Sequence, residues 1–185
     1  MNTFTKVLNG RFYMPKIIEN VRQQLLDEVG KQISERGYGN VTIRSIASSL
    51  GLGTGTVYNY FKSKDMLVAS FVAENWHDYM NHFKSLTFNN SKETLEQIYD
   101  MLIEFNESQS DLFTDPDAIK RFSSISGKNH PQLRQQIASL ILPLCENRAN
   151  SEFLSLFIAE SLLTWTTAKT PFEELYPILL KLIEK

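Results

Sequence analysis

Thr42 to Phe61 reads TIRSIASSLGLGTGTVYNYF, and its spacing predicts a helix, a tight reversal and a second helix. Thr42 stands where a side-chain oxygen caps a helix. Ile43, Ile46, Ala47 and Leu50 then recur at helical spacing and give the first helix one apolar face. Ala47 falls where two crossing helices press closest, so a larger side chain there would part them. Gly51 comes four residues later, where the chain must reverse through a positive φ that only glycine adopts without steric cost. Leu52 and Val57 supply apolar contacts back to the first helix. A small residue, a glycine and a valine at these intervals match a helix-turn-helix wherever packing dictates the residue.

The outside of the second helix carries Thr54, Thr56, Tyr58, Asn59 and Tyr60, compact hydrogen-bonding or aromatic residues with no carboxylate among them. A merely solvated helix face more often carries Glu and Lys. From Arg36 to Lys64 there is no acidic residue, while Arg36, Arg44, Lys62 and Lys64 all lie inside that window. Positive charge without negative charge suits a polyanion. Thr54, Thr56 and Asn59 are the candidates for base edges, since Asn pairs bidentately with adenine and a Thr methyl meets the thymine methyl. Arg44 and Lys64 are the candidates for phosphate.

At these residues the sequence resembles the N-terminal DNA-binding domain of TetR-family transcriptional regulators. The resemblance rests on Thr42, Ile46, Ala47, Gly51, Leu52, Gly55, Thr56, Tyr58, Tyr60, Phe61, Lys64, Asp65 and Leu67, and spans roughly residues 15–71. Gly53 stands where the family often has a capping Ser, and Thr54 where Lys or Arg is common. The resemblance implies an all-α chain. An N-terminal three-helix DNA-binding domain would be followed by a helical domain for ligand binding and dimerisation. It also implies that Thr42 meets a phosphate as well as capping its helix, that one or both of the Tyr58 and Tyr60 hydroxyls reach phosphate while their rings brace the helix, and that Gly55 belongs to the DNA-facing motif.

The rest of the chain is consistent with that layout. Its 185 residues are 42% hydrophobic, enough to bury a core, with only eight Gly and six Pro and no long strand-period alternation. The formal charge of -2 hides an asymmetry. Residues 1–75 carry nine basic and six acidic side chains, and residues 76–185 ten and fifteen, so the half with the helix-turn-helix is the basic one. A single cysteine, Cys145, forms no intrachain disulfide and reads as a buried thiol in an apolar helix. No apolar run is long enough to span a membrane and no signal-peptide core opens the chain, so a soluble cytoplasmic protein is expected.

Residues 1–14 lack periodicity. Lys6 and Arg11 could arm the protein for DNA phosphates, or the segment could be a partly ordered tail. A supporting helix should open near Pro15, bury Ile17, Ile18, Val21, Leu25, Val29 and Ile33, and stop at Gly37-Tyr38-Gly39. The DNA-binding domain is thus 15–62, and 63–185 the second domain. A long connecting helix over about 63–86 is capped by Ser63, with Asp65 in its first turn. In the family such a helix relays ligand binding to the DNA-binding head.

Further helices are expected from Ser91, from Asp115-Pro116 to about Gly127, and from His130-Pro131 through Leu144, kinked at Pro143. Ser151 opens another, and a capping box at Thr170-Pro171-Phe172-Glu173 opens the last. These two apolar helices could pack on their own domain. The resemblance implies instead that they pair with a second subunit through Leu154, Phe157, Ile158, Leu162, Trp165, Leu175, Leu179 and Leu182. Aromatic-rich faces between them and the connecting helix suggest a small apolar or aromatic effector, with Trp76, Tyr79, Phe83, Tyr99, Asn106, Arg121 and Phe122 as candidate contacts. Aromatics at helical spacing are more often the mark of a plain core.

Enzymatic chemistry finds little support. His77 and His82 are five apart and do not share a helix face, Asp111, Asp115 and Asp117 read as helix-start residues, and there is no nucleophile elbow, phosphate-cradling Gly loop or Cys/His cluster. No cofactor or metal is expected. The reading is a dimeric DNA-binding regulator, a repressor released from a palindromic operator by a ligand. Its competitor is a helical DNA-binding or protein-interaction module without an effector.

Overall fold

The computed structural model describes residues 20–184, and their side chains apart from those of residues 122–129. The expectations for residues 1–14 and for a helix start at Pro15 lie outside the described residues. The fold is all-α, with no strand among the described residues.

α1 (Val21–Arg36) presents Val21, Leu25, Leu26, Val29 and Ile33 as one buried stripe. It ends at Gly37, whose φ of 76° is open to glycine and whose N–H donates to the Ile33 carbonyl at 2.8 Å. A 3-10 turn, Tyr38–Asn40, leads to α2 (Ile43–Ser49) and α3 (Thr54–Tyr60). Ser63 caps α4 (Lys64–Ser85) by accepting from the Met66 N–H at 3.1 Å, as expected. α5 (Ser91–Ser108), the single turn α6 (Ser110–Phe113), α7 (Pro116–Cys145), α8 (Ser151–Thr167) and α9 (Phe172–Ile183) complete the order. Among the described residues no helix is long and apolar enough to cross a membrane.

Apolar side chains gather in two cores. The first holds Leu25, Val29, Ile33, Tyr38, Ile46, Ala47, Val57, Phe61, Leu67 and Val68, and reaches forward to take in Leu112 of α6 and Ala118 of α7. The second joins Trp76, Met80 and Phe83 of α4 to Ile98, Leu102 and Phe105 of α5, Ile137 and Ile141 of α7, Ile158 and Leu162 of α8, and Leu175 and Leu179 of α9. Cys145 is buried in this second core, and burial pushes its thiol pKa up. Val72 packs against both cores. α1 and α4 approach so closely at Gly30 that a Cβ there would lie 2.4 Å from Phe71 Cε2.

Local signals misplace three boundaries. The expected break between two helices near Gly127 and Pro131 does not occur, and α7 runs on through both and through Pro143. Asp115 caps it as foreseen, accepting from the Asp117 and Ala118 N–H groups at 2.9 and 3.0 Å. Its most extensive contact is with α8, and packing along that neighbour outweighs a glycine and a proline that would end an isolated helix. α5 is capped by the Asn90 side chain rather than by Ser91. At α9 the expected capping box is not formed: the N-cap is Pro171, without a side-chain cap bond.

Candidate nucleic-acid interface and cavity

The first helix of the pair is fixed by reciprocal capping. Thr42 Oγ1 accepts from the Ser45 N–H at 3.0 Å, and Ser45 Oγ accepts from the Thr42 N–H at 3.1 Å. Behind this cap sits Gln32 of α1, fully buried. Its Oε1 accepts from Ser45 Oγ at 2.6 Å, and its Nε2 donates to Glu28 Oε1 at 2.6 Å and reaches Ser49 Oγ at 3.3 Å. One buried amide therefore holds both ends of α2 against α1. Sequence reasoning missed it. The available signal was a polar residue in phase with Leu25 and Val29 on an otherwise apolar stripe.

The reversal follows the expected geometry. Gly51 has φ 66°, and the Leu52 N–H donates to the Ala47 carbonyl at 2.8 Å. Ala47 and Val57 are buried between the helices. α3 is thereby turned so that Thr54, Gly55, Tyr58, Asn59 and Tyr60 are exposed, with Thr56 half-buried. A Cβ at Gly53 or Gly55 would meet nothing within 4 Å, so this edge of α3 is open to a close-approaching surface. Thr42 and Arg44 are exposed beside it, and Arg44 makes no ion pair among the described residues.

Lys64, half-buried, follows the cap of α4. Its Nζ donates to the Tyr38 carbonyl at 2.9 Å and lies 3.8 Å from the Tyr38 ring centroid, and burial lowers its pKa. These contacts tie the start of α4 to the 3-10 turn, so the ammonium expected at a phosphate is engaged within the protein in the DNA-free chain. Lys62, with its side chain exposed, remains as a basic group on the α3 side.

Around Lys64 the head meets the second domain through a polar joint. The Tyr38 hydroxyl donates to Asp65 Oδ1, and Arg121 Nη1 of α7 lies 3.4 Å from Asp65 Oδ2. Burial first, and the Asp65 carboxylate next, raise the Tyr38 pKa. Asp115 is held below the usual carboxylate range chiefly by the Ala118 N–H, with those of Asp117 and of Gly39 in the 3-10 turn acting in the same direction. Arg121, expected among effector contacts, belongs to this joint instead.

A cavity of about 760 Å³ lies between α4 and α7. α4 lines it with Ala69, Val72, Ala73, Trp76, His77, Met80, Asn81 and Lys84; α5 adds Leu102, Phe105 and Asn106. Leu112 and Phe113 of α6, Ala118, Ile119, His130, Gln132, Leu133 and Gln136 of α7, and Leu163 and Thr167 of α8 complete it. The Trp76 indole N–H donates to Gln136 Oε1 at 2.7 Å, and its ring meets Phe105 edge-on at 5.1 Å. Of the expected contacts, Trp76 and Asn106 line the cavity. Tyr79 meets Phe105 edge-on at 5.8 Å and Phe83 packs on Phe88 at 5.0 Å, both outside the lining. Tyr99 donates its hydroxyl to the Thr170 carbonyl at 2.8 Å, bracing the turn before α9. The Phe122 side chain lies outside the described ones. His77, His130 and Lys84 line the cavity although nothing in their spacing predicted it.

The residues expected at a subunit contact divide between two faces. Ile158, Leu162, Leu175 and Leu179 are buried in the chain's own core, and Leu154 and Leu182 are half-buried against it. Phe157 and Trp165 face outward at 51% and 47% exposure, beside Phe153 at 71% and Ile178 at 62%. Four large apolar side chains on the outside of α8 and α9 exceed what scattered surface residues require.

These features define a class: a helix-turn-helix protein whose DNA-facing head is joined by one long helix to a helical second domain. The model of the tetR family of bacterial regulatory proteins matches residues 25–71. The helix-turn-helix head belongs to that TetR family. An HTH-type transcriptional regulator of Staphylococcus aureus is 29% identical over 94 residues, 50% of this chain and 51% of the relative. The chain thus spans about half the length of the curated relatives it matches. Over nearly the whole chain the fold is that of solved TetR-family regulators. One from Pectobacterium atrosepticum superposes with a TM-score of 0.64 at 18% identity, covering 89% of this chain and 94% of its own. GusR of Salmonella enterica superposes with 0.63 at 14%, covering 92% and 100%.

Proposed function

We propose that the chain is a homodimeric, sequence-specific DNA-binding transcriptional regulator of the cytoplasm, a repressor released from a palindromic operator by a small molecule. Residues 15–62 form the DNA-binding domain, and 63–185 carry effector binding and dimerisation. The observation that carries the reading is the family-matched helix-turn-helix, with the carboxylate-free edge of α3 turned outward. Thr54, Thr56 and Asn59 read bases. Thr42, Arg44, Tyr58 and Tyr60 hold phosphates, with Gly55 allowing close approach. The exposed Phe153, Phe157, Trp165 and Ile178 support a second subunit on α8 and α9, and two recognition helices then require a two-fold operator. The cavity supports an effector. To release DNA, that molecule must bind the DNA-incompetent arrangement of the heads more tightly than the competent one.

The test is binding of the purified protein to DNA upstream of its own gene, against scrambled DNA of equal length, across a salt series. Selective binding with a steep salt dependence is the expected result. Equal binding to both DNAs would favour a nonspecific module, and no binding at low salt would end the reading.

A further inference from the structure

We propose that the α4–α7 cavity takes an amphipathic carboxylate: an apolar body seated against Trp76 and Phe105, with its acid group at the α4 edge beside Lys84, His77 and Asn81. This rests on the effector reading above and adds the ligand's chemical class.

The argument begins with the faces of α4. Val72, Trp76 and Met80 recur every four residues and make an apolar wall. His77, Asn81 and Lys84, four and then three residues apart, make a polar edge alongside it. Asn106, Gln132 and Gln136 are the further neutral amides, the last already accepting from the Trp76 indole, and His130 stands in α7. Among the described residues no Asp or Glu lines the cavity, and residues 122–129 of α7, FSSISGKN, contain none. Glu160, the carboxylate 3.8 Å from His130, lies outside the lining and is already paired with Arg134 at 3.4 Å. A cationic ligand would therefore be desolvated without a counter-charge, which is costly. An anion meets one ammonium and several neutral donors. One lysine with amides matches the single charge of a carboxylate, whereas a multiply charged phosphate ester would call for clustered arginines. A volume of about 760 Å³ with mostly apolar walls accommodates a medium-chain or aryl-alkyl body.

The experiment uses the full chain and isothermal titration calorimetry with decanoate and phenylbutyrate, each against its primary amide. The acids should bind about tenfold more tightly than the amides, the worth of one charge-assisted hydrogen bond at a partly exposed site. Lys84→Met should bring each pair to within about threefold of each other. Ala73→Trp, which fills the cavity, should abolish binding of both, with far-UV circular dichroism confirming that the fold is kept. Amides that bind as well as acids would overturn the carboxylate class and leave the effector reading standing. Acid preference that survives Lys84→Met would overturn the placement of the acid group. No binding by any probe would overturn the proposal. Acid-selective binding that leaves DNA affinity unchanged would uphold the ligand class and overturn the effector reading.

Discussion

Tyr38→Phe isolates the joint between head and second domain. Tyr38 is 1% exposed, and its ring packs in the first core under Lys64. Phenylalanine keeps that ring and its packing, so the substitution removes little besides the hydroxyl donated to Asp65. A hydrogen bond to a charged acceptor contributes about 1.5–3 kcal/mol. Asp65 retains Arg121 at 3.4 Å and is 31% exposed, so water takes up the vacated lone pair. That solvent screening reduces the expected loss to about 1 kcal/mol. For a chain of this size such a loss lowers Tm by roughly 2–4 °C. Thermal unfolding at neutral pH, followed by circular dichroism, measures it.

The same pair of proteins makes a pH prediction with a definite sign. Burial and the Asp65 carboxylate raise the folded-state pKa of Tyr38 above the value near 10 of an unfolded tyrosine. Its contribution is therefore complete below pH ~10 and is lost as pH climbs from there toward the raised folded value. Lys64, whose pKa burial lowers, acts in the opposite direction, but it is present in both proteins and cancels in the difference. The wild-type advantage should shrink above pH ~10 and reverse roughly half to one unit higher, where the linkage slope of about 1.4 kcal/mol per unit has consumed it. Equal melting temperatures at pH 7, or a constant gap between the proteins through pH ~11, would refute the assignment of the hydroxyl to Asp65.

Three further perturbations address other parts of the molecule. Gly30→Ala places a Cβ 2.4 Å from Phe71 Cε2; overpacking of about 1–3 kcal/mol exceeds the gain of about 1 kcal/mol in helix propensity, so urea unfolding should show net destabilisation. Phe71→Leu in the same chain should offset part of it, and strictly additive effects would disprove the contact. Arg44→Ala should reduce the salt slope of DNA binding by about 1, while Lys64→Met should leave the slope unchanged and lower Tm; a reduced slope for Lys64→Met would return that lysine to the DNA surface. Phe157→Glu should convert a dimer to a monomer in sedimentation, since the side chain is 51% exposed in the single chain and its loss leaves the core intact; a monomeric wild type would remove the basis for the paired-head reading.

The helix-turn-helix was legible because its constraints are local. The closest helix crossing selects Ala47, the reversal selects Gly51, and the caps Thr42, Ser63 and Asp115 each bond within three residues of themselves. What sequence alone could not place depends on distant neighbours. α8 is apolar on two sides, and periodicity does not say which side is inward; Ile158 and Leu162 are, while Phe157 and Trp165 are not. A lysine one residue after a helix cap reads the same whether it points to solvent or, like Lys64, folds back on a carbonyl 26 residues away. Gly127 and Pro131 are breakers in any local account and are overruled by packing. The cavity is the extreme case, drawing its lining from five helices, so that His77 and His130 meet it only through the tertiary arrangement.

The position of that cavity bears on how a ligand would be felt at the DNA. Leu112 and Ala118 line it and also belong to the core of the head, and Val72 packs on both cores. Three residues before Ala118, the Asp115 carboxylate lies against Gly37 beside the 3-10 turn, and three residues after it Arg121 faces Asp65 at the start of α4. Cavity wall, head core and polar joint are therefore successive turns of the same short stretch of α7. A body that filled the cavity would press on side chains the head cannot do without, and a close-packed core shifts between discrete arrangements rather than yielding by degrees. Coupling between ligand and DNA then needs no long relay. It needs only that the packing of Leu112 and Ala118 favoured by an occupied cavity differ from the packing that sets the two recognition helices in register, and by linkage DNA would weaken the ligand by the same factor that the ligand weakens DNA.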